Sequence, residues 1–147
     1  MILVDPNEEV LIPVNNGIFE VSQFKSQSKL NQEYKGCFIL FSDGSIKNIV
    51  KITKNGFYGK SFREWLFSAL NSTYSVTVDL ESSDIGLADL KVQLTQYIRS
   101  DNLSPDPYLP QTCGIDTAVS KIQKANDTKA LYESLEVPPE YDCLDVL

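Results

Sequence analysis

Gly59-Lys60-Ser61 lies within Asn-Gly-Phe-Tyr-Gly-Lys-Ser-Phe-Arg-Glu-Trp-Leu, the stretch from Asn55 to Leu66, and its residue types are those that hold a nucleotide phosphate. A phosphate loop needs G-x-x-x-x-G-K-[ST], because four intervening residues let the backbone curl its N–H groups around the anion. Counting back from Gly59 puts Lys54 where the first glycine must stand, and Gly56 is only three residues away. The spacing excludes the loop. Ser61-Phe62-Arg63-Glu64 instead has the form of a capping box, in which the serine hydroxyl and the glutamate carboxylate each take a backbone N–H at a helix start.

Other chemistries narrow quickly. The chain has no histidine, so Ser/His/Asp and Cys/His nucleophile systems are excluded and the commonest zinc ligand is missing. Cys37, Cys113 and Cys143 are odd in number and far apart, which gives neither a disulfide framework nor a C-x-x-C pair. Cys37 stands in the run Cys-Phe-Ile-Leu-Phe and reads as a small buried hydrophobe. No EF-hand loop occurs, and nothing calls for a cofactor. Carboxylates remain: Asp5, Glu8 and Glu9; Asp84 and Asp89; and Glu140, Asp142 and Asp145. A catalytic carboxylate pair is defined by its separation in space. A small carboxylate-dependent hydrolase or transferase is therefore the enzymatic alternative.

The charge is unevenly laid out. The net charge is −7, yet residues 1–78 carry seven acids and eight bases whereas residues 79–147 carry thirteen acids and five bases. Every base of the first part falls between Lys25 and Arg63. Lys47 and Lys51, read as sharing a strand face, with Phe57 and Tyr58 as stacking rings, make nucleic-acid binding through residues 25–63 a second alternative. The acidic second half opposes it, since a net-acidic surface repels nucleic acid and draws basic partners.

The elements that would position these groups follow from periodicity. Ile2–Val4 and Val10–Ile12 are short strands, with Pro13 marking an edge, and Asn15-Asn16-Gly17 suggests a hairpin over 10–21. Asp43-Gly44 between Cys37–Phe41 and Ile46–Thr53 is the strongest hairpin signal, with Ile46, Val50 and Ile52 on one face. Phe62, Trp65, Leu66, Ala69 and Leu70 form a helical stripe that commits the only tryptophan to the core, with Phe67 off the stripe. A strand with Tyr74, Val76 and Val78 follows. A helix from about Asp84 to Ser100, capped by Ser83 or Asp84, then turns Leu87, Leu90, Leu94, Tyr97 and Ile98 inward. Pro105, Pro107 and Pro110 mark a surface loop. Asp116 then caps a helix bearing Ile115, Ala118, Val119 and Ile122, and Asn126–Thr128 caps another with Ala130, Leu131 and Leu135.

The 147 residues, 42% of them hydrophobic, read as one α+β domain spanning 1–147. An N-terminal antiparallel or mixed sheet built from hairpins, with helices on one face, precedes about four helices placed mainly in the C-terminal half. The start of the chain carries acid where a signal peptide needs base, and no membrane-length apolar run occurs, so the expected setting is soluble and cytoplasmic.

In size, acidity and lack of a catalytic constellation the chain resembles the small bacterial toxin-immunity proteins. That resemblance implies a non-enzymatic module that neutralises a basic toxin or nuclease by stoichiometric binding. Phe67 together with acids and aromatics of the second half are the candidate contacts: Phe67, Asp79, Glu81, Asp84, Asp106, Tyr108, Tyr132, Glu133, Glu136 and Tyr141.

Overall fold

The structure, a computed structural model, describes residues 1–13, 20–22, 26–57, 61–63, 66, 73–100 and 114–135. Six strands, β1 (Ile2–Asp5), β2 (Val10–Pro13), β3 (Glu20–Ser22), β4 (Phe38–Leu40), β5 (Ile46–Phe57) and β6 (Thr73–Ser82), form one sheet in the order β2-β1-β4-β5-β6-β3. Every pairing is antiparallel. The described helices are α1 (Gln27–Glu33), α2 (Leu87–Arg99), α3 (Ile115–Lys124) and α4 (Thr128–Ser134). The α+β class holds, with three of these four helices in the C-terminal half. None is long and apolar enough to cross a membrane.

The helices lie on both faces of the sheet, not on one. Side chains alternate across β1 and β4, so Ile2, Val4, Phe38 and Leu40 enter a larger core with α2, α3 and α4. Leu3 and Ile39 enter a smaller one with Cys37 and with Leu30 of α1. Burial on both faces is why β1 reads as an unbroken apolar run. α2 contributes Leu90, Leu94, Tyr97 and Ile98 to the larger core, as its spacing predicts, while Leu87 packs at the margin.

Two turns show how local chemistry sets the pairing. In the β4–β5 turn Asp43 Oδ1 accepts from the Ser45 amide at 2.8 Å and the Ser45 hydroxyl at 2.7 Å, and Gly44 takes φ +87°. After β1, Asp5 Oδ1 accepts from the amides of Asn7 at 2.9 Å and Glu8 at 3.4 Å, which closes a β1–β2 hairpin. The hairpin expected over 10–21 does not form. β2 pairs with β1, and β3 pairs with β6 at the opposite edge, because the Asp5 turn already supplies β2 with its partner. Pro13 does sit in an edge strand.

Alternation in β5 departs from simple parity. Between the pairs Ile49–Leu80 and Lys51–Asp79 one extra residue, Val50, is inserted as a bulge. Ile49 and Ile52 therefore share the smaller core, while Val50 is 58% exposed rather than inward. Lys47 and Lys51 consequently fall on opposite faces, and Lys47 lies 5.3 Å over the Phe41 ring.

Helix starts also differ from expectation. α2 opens after Gly86 and α3 after Gly114, neither with a side-chain cap, so Ser83, Asp84 and Asp116 are not caps. Asp116 falls inside the first turn of α3, where its charge favours the helix dipole. Asp127 does cap α4, accepting from the Ala130 amide at 2.7 Å. Ile115 is exposed, one residue into its helix. Phe62 is 74% exposed and Leu66 43% exposed, so these members of the aromatic stripe join neither core. Among the described residues the cores are closed by α1 and by α2–α4. Trp65 and Glu64, and with them the capping box, lie outside the described residues, as does the Pro105–Pro110 loop.

Candidate functional site

β6 is amphipathic at period two. Val76 is buried and Val78 and Leu80 are half-buried against the smaller core, which sends Thr77, Asp79 and Glu81 to the opposite face. That is the face of the larger core. Among the described residues, however, the larger core takes Ile46 from β5 and nothing from β6. The helices α2–α4 thus cover the β2-β1-β4 part of the sheet and leave Thr77, Asp79 and Glu81 exposed. Asp84, three residues past Glu81, is exposed as well.

Register determines how much of this charge is offset locally. Lys51 stands directly opposite Asp79, and Thr53 opposite Thr77, whose hydroxyl accepts from the Asn55 side-chain Nδ2 at 2.9 Å. Opposite Glu81 is neutral Asn48. Facing side chains of an antiparallel pair sit about 5 Å apart at Cβ, so Lys51 tempers Asp79 far more than Glu81. Asp79 and Glu81 are two residues apart on one strand, about 7 Å, which is inside the screening length of about 8 Å at physiological salt. Glu81 therefore has no cation directly opposite it on β5, and Asp84 lies beyond the paired residues.

The remaining candidates are placed elsewhere. The Tyr132 hydroxyl accepts from the N-terminal amine of Met1 at 3.2 Å, and the half-buried ring packs against the larger core, which gives it a structural role. Glu133 is exposed on α4. Phe67, Asp106, Tyr108, Glu136 and Tyr141 lie outside the described residues. No family model matches the chain, and comparison with curated proteins and with solved structures finds no match either.

The carboxylates at the start of the chain occupy a separate site. Asp5 is buried, its Oδ1 engaged by the turn amides, and it lies near the Cys37 thiol, which donates to the Glu33 carbonyl at 3.9 Å. Burial pushes that thiol up to about 12, with Asp5 and then Glu33 adding to the effect. The thiol stays protonated and is no nucleophile. Burial also raises the Tyr97 phenol, as do the nearby Glu9, Asp5 and Cys37. Glu9, at φ +55°, accepts from the Gln96 side-chain amide at 3.0 Å. These groups hold the β1–β2 turn against α2. Among the described residues no cluster of three His, Cys, Asp or Glu side chains could hold a metal ion.

Sequence reasoning missed one constellation altogether. Beyond β4, the free side of β5 is met by amide side chains of α1. Asn31 Oδ1 accepts from the Ile52 amide at 3.0 Å, Gln27 Oε1 accepts from the Lys54 amide at 3.0 Å, and Gln27 Nε2 donates to the Ile52 carbonyl. Their i, i+4 spacing places both amides on one helix face, the one signal that pointed to them.

Proposed function

We propose that the protein is a non-enzymatic binding module, an immunity-type inhibitor that neutralises a basic toxin or nuclease in the cytoplasm by stoichiometric binding. The observation that carries this reading is the exposed strip on β6, with Asp79 and Glu81 side by side on a sheet face that the helices leave open and Asp84 just beyond. A flat strand face presents charges in a row, which suits a protein surface better than it encloses a small substrate. The acids steer a basic partner into place and set specificity, through on-rate more than through affinity.

The enzymatic alternative draws nothing from Asp5, which is buried with its Oδ1 engaged by the turn amides. The nucleic-acid alternative loses its row of lysines, because the Val50 bulge parts Lys47 from Lys51. The test is affinity co-purification from the protein's own cell at low and high salt. The reading predicts one basic protein in stoichiometric amount, weakened at high salt. Recovery of the protein alone at both salts contradicts it.

A further inference from the structure

The sheet ends at β6 and β3, and β3 covers little of β6. Its three residues pair with Thr73–Ser75, which leaves Val76–Ser82 with no further strand beside it among the described residues. The ladder phase follows from the Ser83 amide, which donates to the Ile46 carbonyl at 3.1 Å. Odd-numbered residues of β6 therefore bond β5, and Val76, Val78, Leu80 and Ser82 turn their N–H and C=O groups outward. The contrast with β5 is informative, since α1 supplies Gln27 and Asn31 to occupy the corresponding groups of Ile52 and Lys54. Among the described residues one free strand side is covered and the other is not.

We infer that Val76–Ser82 takes an extended segment of the basic partner as an added antiparallel strand, a mode that draws affinity from backbone hydrogen bonds and specificity from alternate side chains. This inference rests on the proposed binding function and specifies how its acidic strip is read. An added strand puts alternate side chains beside Thr77, Asp79 and Glu81, where lysine or arginine fits, and the others beside Val78 and Leu80, where apolar residues fit. The same register argues against a second copy of the chain. In a two-fold pairing centred on Val76–Ser82 Asp79 would stand opposite the second copy's Asp79, and facing like charges destabilise a sheet.

Synthetic peptides of alternating Lys and Val, alternating Glu and Val, and alternating Lys and Val with N-methylated bonding amides test this directly. The unmodified Lys–Val peptide slows hydrogen exchange at Val78 and Leu80 by at least about tenfold, and the other two do not. Val78→Pro removes one outward donor without touching the β5 ladder and weakens Lys–Val peptide binding by about fivefold or more. Three results would overturn the inference: binding indifferent to both N-methylation and Val78→Pro, amides left unprotected, or protection that rises with protein concentration in the absence of peptide. Loss of the co-purified partner with Glu81→Lys/Asp84→Lys but not with Val78→Pro overturns strand addition while the acidic strip stands.

Discussion

Cys37 is fully buried, and its thiol is held at about 12 by burial and by Asp5. In a Cys113→Ser/Cys143→Ser background a thiol reagent at neutral pH is predicted to label the unfolded chain only, and fast labelling of the folded chain would contradict the placement. The same shift has a signed consequence for stability. The folded values of Cys37, Tyr34 and Tyr97 all lie above their ordinary ones, 9.0 for the thiol and 10.0 for the phenols. Their contribution is complete below those values and is lost as pH rises through the folded ones. The denaturation midpoint is accordingly predicted to fall from about pH 9 upward, and a flat profile to about pH 11 would refute this. Gly44 makes a sharper single-residue case. At φ +87°, a Cβ would meet the Lys129 backbone nitrogen at 2.7 Å, so Gly44→Ala is predicted to cost about 1–3 kcal/mol or more in a denaturant melt.

Elements were legible where one local rule decided them. Asp43-Gly44 marks its hairpin, Leu90, Leu94, Tyr97 and Ile98 mark α2, and Asp127 marks the start of α4. Legibility fails where a remote partner decides. Val50 is a bulge because β6 opposes β5 with one residue fewer, and no count along β5 alone gives that. The turn signal at Asn15–Gly17 says nothing about β1 and β6 each claiming one of its flanking strands. The alternation puts Asp79 on a strand but does not extend to Glu81, and the exposure of both depends on where α2–α4 stop covering the sheet. Likewise α1 works through side chains that look like loop composition. Asn31→Ala is predicted to cost about 1–3 kcal/mol, since the Ile52 amide loses its acceptor in a partly buried position. A loss below about 0.5 kcal/mol would show that this edge does not depend on it.

At the scale of the molecule, one sheet carries two cores among the described residues, covered by α1 on one face and by α2–α4 on part of the other, and the exposed part of that second face includes the acids of β6 beside Lys51 of β5. Reversing Asp79 would place a second cation opposite Lys51, so charge reversal is cleanest at Glu81 and Asp84. Both are exposed, and stability is predicted to change by less than about 0.5 kcal/mol for each. The most direct measurement of the central claim is therefore co-purification of a basic partner by the natural chain and by Glu81→Lys/Asp84→Lys, with thermal melts to show that the fold is kept. Binding by an acidic strip predicts that the natural chain retains the partner and the folded variant loses it. Equal capture by both would contradict the account.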